Sequence, residues 1–262
     1  MTQNVYSMKA VAPTVCAVLN IQPPPPATEA PIGPAVDELR GVEGLAVLAP
    51  DALGIVAWSL WKDEMPFLKS LHEKNSILLR SIMPSVTPVN FACMLTGAEL
   101  EVHGMRTREM DFQCETVYDA VRAAGGASAG LGHKGYSGEL LLARYADYPG
   151  VAERGESMLV TDQIVEVFDR HRPTFMIAQY GATDTACHAH GPSSPEVAPV
   201  FRECDQALEK AVNYLLARNI GVVVLADHGQ HDLPDAPEGA KRGKHGTDSD
   251  EDCLVPCTWT RA

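Results

Sequence analysis

Three short apolar runs, each followed by an acidic residue, constrain this chain more than any other feature. Leu45–Ala49 runs into Pro50-Asp51, Thr174–Gln179 stops just short of Asp184, and Ile220–Ala226 leads directly into Asp227-His228. Runs this short, mainly apolar rather than alternating, predict strands buried on both faces, the pattern of parallel sheet. Segments of helical spacing lie around them at Trp58–Leu71, Thr116–Ala124, Val160–His171 and Pro199–Leu216, with a further strand expected over Ile77–Ile82. Strands alternating with helices give an α/β fold of three layers, a mostly parallel central sheet covered by helices on both sides. In such sheets ligands bind in the crevice outside the carboxyl ends of the strands. Asp51, Asp184 and Asp227 are therefore expected to meet there.

Histidines accompany them. His188 follows Asp184 by four residues in DTACH, His228 adjoins Asp227, and His245 sits in GKHGT. Carboxylate oxygen with imidazole nitrogen suits zinc or another borderline divalent ion. Several carboxylates crowded into one crevice would repel strongly unless cations offset them. Thr87-Pro88, then Val89–Leu95 and Gly97, read as a helix with Thr87 as N-cap, Pro88 at the first position and Gly97 as the stop. A hydroxyl there faces the positive end of the helix dipole, where anions bind.

Composition narrows the function classes. The chain of 262 residues carries 34 acidic against 21 basic side chains, which argues against a nucleic-acid polymer or an anionic membrane as partner. No apolar run approaches the roughly 18 residues of a membrane span. Seven irregularly spaced cysteines without a CxxC pair fit reduced thiols, so a cytoplasmic setting is expected. Four consecutive prolines, Pro23–Pro26, break any element after the apolar Lys9–Ile21 segment. The organisation expected is an N-terminal segment over residues 1–44 with a Pro-rich connector, docked on a core over 45–262. Among the remaining histidines, His103 is expected to be structural, whereas His72, His133 and His171 read as surface or loop residues. Lys134 and the run Asp250-Glu251-Asp252 read as solvated loop, and Cys187 as buried filler.

Six stretches together resemble the alkaline phosphatase superfamily, in its type I phosphodiesterase and nucleotide pyrophosphatase branch. They are APDALG (Ala49–Gly54), MPSVTPVNFACMLTG (Met83–Gly97), EVHGM (Glu101–Met105), GATDTACHAHGP (Gly181–Pro192), VVLADHGQHD (Val223–Asp232) and GKHGTDSDEDCLVP (Gly243–Pro256). The resemblance implies an alkaline-phosphatase-like core holding two divalent metal ions, zinc first and manganese as the alternative. Asp184, His188 and His245 would hold one ion and Asp51, Asp227 and His228 the other. It also implies Thr87 as the nucleophile of a two-step displacement on a small phosphorylated substrate, through a phosphothreonine.

The chain departs from that pattern in three places. Ala52 follows Asp51 where the superfamily usually has glycine. Met105-Arg106-Thr107-Arg108 stands where many diesterases carry a phosphoryl-binding Asn, which leaves Arg106, Arg108 and Asn90 as candidate substrate ligands, with His190 beside the metal ligands as another. Only 16 residues separate His228 from His245, a place where many relatives insert a cap. The expected activity is phosphodiester or diphosphate hydrolysis. A phosphomonoesterase, a phosphonate hydrolase or a non-catalytic metal-binding protein of the same fold are the alternatives. The Cys/Ser-x-Pro-x-Arg nucleophile motif of sulfatases is absent around Thr87.

Overall fold

The computed structural model describes residues 5–262. Among these, eight strands form one sheet in the order β1-β3-β10-β7-β2-β6-β4-β5. The strands are β1 (Val5–Ser7), β2 (Gly44–Pro50), β3 (Ile77–Arg80), β4 (Ser128–His133), β5 (Tyr148–Ala152), β6 (Phe175–Tyr180), β7 (Ile220–Leu225) and β10 (Leu254–Thr260). A two-residue antiparallel ribbon, β8 (His231–Asp232) with β9 (Gly243–Lys244), lies outside it. Within the eight-stranded sheet β10 alone runs antiparallel, against β3 on one side and β7 on the other.

The three apolar runs are the three adjacent central strands. Val47 of β2 aligns with Ile177 of β6 on one side and Val223 of β7 on the other. All residues of these three strands are buried, as parallel strands sandwiched between helix layers must be. One helical layer holds Pro66–His72, Ser157–His171 and Ala198–Leu216; the other holds Val11–Leu19, Gly33–Leu39, Thr87–Thr96 and Val117–Ala123. The segment before residue 45 thus supplies β1 and two helices to the common core. No helix among the described residues is long and apolar enough to cross a membrane.

Several local expectations are corrected. Trp58–Leu71 is not one helix. It divides into Ile55–Trp61, a single 3-10 turn and Pro66–His72, because Pro66 lacks the N–H a continuing helix needs and starts a new one instead. The glycine-rich stretch after Ala124 contains β4, whose Gly130 and Gly132 lie under the helical segment Gly138–Ala143. A Cβ on Gly130 would sit 2.0 Å from the Leu142 carbonyl oxygen, and one on Gly132 2.6 Å from the Gly138 Cα. Those glycines mark close backbone approach. His133, expected at the surface, is buried at the end of β4, and its Nε2–H donates to the Glu156 carbonyl at 3.2 Å. Asp252, expected in a solvated loop, is fully buried. Its carboxylate accepts from the Thr247 N–H (2.9 Å) and hydroxyl (2.6 Å) and bonds His231 Nδ1 at 2.8 Å.

Candidate metal centre and active site

Asp51 ends β2 and Asp227 follows β7, so pairing of these neighbouring strands brings the two carboxylates together. Their loops touch backbone to backbone: a Cβ on Gly54 would lie 2.3 Å from the Gly229 Cα, and one on Gly229 2.1 Å from the Glu251 carbonyl oxygen. Ala52, standing where the superfamily has glycine, adopts φ +61°. Glycine takes that left-handed conformation freely, whereas alanine does so at a cost of about 1–2 kcal/mol. Ala52 thus holds a conformation that glycine would take without cost, and its N–H donates to Asp227 Oδ1 at 3.3 Å.

Asp184 arrives differently. It lies in the first turn of the helix Ala182–His190 after β6, and the helix repeat puts His188 above it on the same face. His188 Nε2 is 3.5 Å and His245 Nε2 3.8 Å from Asp184 Oδ1. In the other group His228 Nε2 is 3.5 Å from Asp51 Oδ1 and 3.2 Å from Asp227 Oδ2. The six residues form two clusters of three, each with donor atoms converging within 4.8 Å. Adjacent rings connect the clusters: His245 stacks on His228 at 3.9 Å and lies tilted against His188 at 5.0 Å, centroid to centroid.

Three observations fit these clusters to divalent cations. Asp51 Oδ1 and Asp227 Oδ2 are buried without a hydrogen-bond partner, although buried carboxylate oxygens are ordinarily satisfied. Burial, then the charges of Asp227 and Asp184, pushes the Asp51 carboxyl well above the usual range, and burial raises Asp227 as well. Finally, all three imidazoles direct Nδ1 to a backbone carbonyl: His188 to Gly243 (2.8 Å), His228 to Gly229 (3.0 Å) and His245 to Ser85 (3.0 Å). Each Nδ1 then carries the proton, leaving the Nε2 lone pair facing the carboxylates, the tautomer a metal ligand needs. Burial and the adjacent His228 hold His245 neutral, its pKa pushed down to about 2.

Residues that sequence reasoning passed over complete the frame. Gln179, at the end of β6, donates to Asp51 Oδ2 and accepts from the Gly138 N–H. Gln230 donates to Asp184 Oδ1, and the Thr183 hydroxyl donates to the Asp51 carbonyl at 2.6 Å. Asp252 ties the His228 and His245 loops together, since its own carbonyl accepts from Gly229 N–H at 2.8 Å while its carboxylate holds Thr247. The polar residues around the DHG motif, Gln230 and His231, were the available signal for this network.

Thr87 is the first helical residue; Val86 occupies the N-cap position. Its hydroxyl therefore does not cap the helix, contrary to expectation, but lies 3.0 Å from His228 Nε2. Thr87 faces a cavity of about 740 Å³ together with Asp51, Asp184, His188 and His245. Arg106 and Arg108 line the same cavity. Two other candidates do not. Asn90 is fully buried, and its amide is spent on Ile82, accepting from the N–H at 2.8 Å and donating to the carbonyl at 3.2 Å. His190, at the end of the helix, pairs with Glu196 and lines two neighbouring hollows, one of which shares Tyr136, Arg154 and Thr185 with the cleft, but not the cleft itself.

The comparisons with known proteins agree with this fold. The family described as type I phosphodiesterase/nucleotide pyrophosphatase matches residues 45–118 and 132–245. No curated protein matches the chain. Among solved structures, phosphonoacetate hydrolase from Sinorhizobium meliloti 1021, in complex with phosphonoformate, superposes with TM-score 0.60 at 19% identity, over 76% of this chain and 59% of that one. The chain thus spans less than two thirds of that protein's length. Inactive murine ectonucleotide pyrophosphatase/phosphodiesterase 5, carrying a Thr-to-Ala substitution and in complex with AMP, superposes with TM-score 0.67 at 14% identity, over 82% of this chain and 87% of that one. The zinc complex of the C-terminal periplasmic domain of EptC from Escherichia coli gives TM-score 0.58 at 13% identity, covering 84% and 73%.

Proposed function

The chain belongs to the type I phosphodiesterase/nucleotide pyrophosphatase family, and from that premise we propose that it hydrolyses phosphodiester or diphosphate bonds of a small phosphorylated substrate, with Thr87 as nucleophile. The observation that carries the reading is the Thr87 hydroxyl beside the His228, Asp51 and Asp227 cluster, at the start of a helix facing the cavity. Asp184, His188 and His245 would hold one divalent cation and Asp51, Asp227 and His228 a second, with zinc expected from the mixed oxygen and nitrogen donors. Such cations supply Lewis-acid polarisation of the phosphoryl group and offset the charge of three neighbouring carboxylates. The AMP and phosphonoformate complexes of the structural neighbours support a small phosphorylated ligand, and the inactive Thr-to-Ala neighbour supports the role given to Thr87.

The protein's own groups divide the remaining work. The helix Thr87–Thr96 directs its positive end at the bound anion. The Thr87 hydroxyl loses its proton as its oxygen forms a new bond to phosphorus, and the leaving oxygen departs with the bonding pair. Water then attacks the phosphothreonine and restores the hydroxyl, releasing the phosphoryl group. Arg106 and Arg108 line the same cavity, Arg108 beside Glu109 at 3.4 Å, which supports a role in neutralising a non-bridging oxygen, above all of a monoester with its extra charge. The segment between His228 and His245 is only 16 residues long, where many relatives insert a cap, and diesters are expected ahead of monoesters. A cytoplasmic setting belongs to the same proposal, on the odd number of irregularly spaced cysteines.

The test is turnover of a nitrophenyl phosphodiester by protein supplied with zinc or manganese. Metal-dependent release of nitrophenol at a rate exceeding that of nitrophenyl phosphate supports the reading. Faster cleavage of phosphonoacetate than of either ester would reassign the substrate to the phosphonate class. Metal binding without turnover of any of them would leave only the fold.

A further inference from the structure

The two carboxylates of the His228 cluster share one arrangement. Asp227 Oδ1 accepts from the Ala52 N–H at 3.3 Å, while Asp227 Oδ2 is buried without a partner, 3.2 Å from His228 Nε2. Asp51 Oδ2 accepts from the Gln179 amide, while Asp51 Oδ1 is buried without a partner, 3.5 Å from the same nitrogen. Each carboxylate is thus tied by one oxygen to a neutral N–H and turns the other towards His228. The tie on Asp227 is backbone, but the tie on Asp51 is a side chain. Among the described residues it is the only hydrogen bond to that carboxylate.

The sense of the Gln179 amide is fixed from behind. Its Oε1 faces the Gly138 N–H, which can only donate, so its Nε2 must face Asp51. Gly138 comes within reach because it packs against Gly132 of β4: a Cβ on Gly138 would lie 2.5 Å from the Gly132 Cα. Gln179 is 1% exposed, yet it borders the cleft beside Gly135, Tyr136 and Ser137, the residues that lead into Gly138. A run of directional bonds therefore passes from the cleft wall, through one amide, to Asp51 Oδ2, and decides which oxygen is left for His228. An amide does this without adding a positive charge beside a cation site. Gln230 is not its equivalent. It donates at 2.5 Å to Asp184 Oδ1, the same oxygen that lies nearest His188 and His245, so the other cluster has no such division between tied and free oxygens.

We propose that Gln179 is a positioning residue for the Asp51, Asp227 and His228 cluster: it holds Asp51 with Oδ1 turned to a divalent cation and ties that orientation to the cleft wall at Gly138. The proposal rests on the reading above that this cluster holds a cation. It goes beyond it in assigning the residue that sets the cluster's affinity.

The test is a zinc titration against a competing chelator, with the two dissociation constants assigned by His228→Ala and His188→Ala, each of which leaves one cluster complete. Gln179→Met, close in volume but without the amide, should weaken zinc in the His228 cluster about 10–100-fold and leave the other within about threefold. Gln230→Met, which removes a buried amide beside the other cluster, should leave the His228 cluster within about threefold. Hydrogen exchange at Gly138 gives a second reading: zinc should slow it in the unsubstituted protein and not in Gln179→Met. Gln179→Glu keeps the acceptor for the Gly138 N–H and serves if the Met protein does not fold. Cobalt in its His228 cluster should show a changed visible spectrum, because the donor to Asp51 is gone, while Gly138 stays protected. Equal weakening of both clusters by Gln179→Met, weakening of neither, or as large an effect of Gln230→Met on the His228 cluster would overturn the assignment. So would Gly138 exchange indifferent to zinc in the unsubstituted protein, or a cobalt spectrum unchanged by Gln179→Glu. Failure of the hydrolase reading shows separately, as absence of phosphodiester turnover by unsubstituted protein that has bound both cations; no zinc binding at all would overturn both.

Discussion

Replacing Asn90 by alanine separates a structural from a substrate-binding role for that residue. Its side chain satisfies both backbone groups of Ile82, which is itself buried. Asn90→Ala leaves a buried N–H and a buried carbonyl without partners, at about 1–3 kcal/mol each. The Val86 carbonyl is less affected, because it also accepts from the Asn90 backbone N–H at 3.1 Å. The expected loss is therefore about 3 kcal/mol, which for a chain of this size lowers Tm by roughly 6–12 °C. Ile82–Val86 leads directly into Thr87, so loosening it should reduce kcat more than it raises KM. Thermal unfolding by circular dichroism and steady-state turnover of a nitrophenyl phosphodiester measure the two effects. An unchanged Tm with a raised KM would refute the reasoning and return Asn90 to the substrate.

Two further outcomes follow from packing and titration. Gly229→Ala would drive a Cβ to 2.1 Å from the Glu251 carbonyl, so it should cost at least about 2 kcal/mol and weaken metal retention by displacing His228; a protein with normal Tm and metal content would contradict that. His103 is buried with Nδ1 accepting from the Met105 N–H at 3.1 Å, and burial holds its pKa down to about 4. Between about pH 6.5 and 4 the unfolded chain therefore binds a proton that the folded chain does not, and stability falls with pH by up to about 1.4 kcal/mol per unit. Urea unfolding across that range should show a shallower slope for His103→Gln, and identical slopes would remove His103 from the account.

The central sheet was legible because β2, β6 and β7 are apolar along most of their length, and burial on both faces writes that pattern directly into composition. Strand β4 was not, since Gly130 and Gly132 trade side chains for close approach of Gly138–Ala143 and erase the apolar signal. The antiparallel β10 was also passed over, because LVPCTWT carries proline and alternates weakly. Within the site, four of the six clustered residues stand in motifs where Asp and His are close in sequence, Asp184 with His188 and Asp227 with His228. Gln179 reaches Asp51 through tertiary proximity alone, and nothing in its local sequence reports it. Asp252 looked like one of three solvated acids, yet a helical turn carries it inward to Thr247 and His231 while Asp250 meets Arg80 at the surface. The one-residue displacement of the N-cap to Val86 has the largest consequence for chemistry. It frees the Thr87 hydroxyl from the backbone and lets it meet His228.

The most direct measurement of the central claim is the fate of Thr87 during turnover. Enzyme mixed with excess phosphodiester, quenched in acid and digested, should yield a peptide phosphorylated at Thr87, while Thr87→Ala should retain its bound metal and lose both the modified peptide and activity. Turnover by Thr87→Ala near the rate of the unsubstituted enzyme, with no phosphothreonine at any time, would contradict the account.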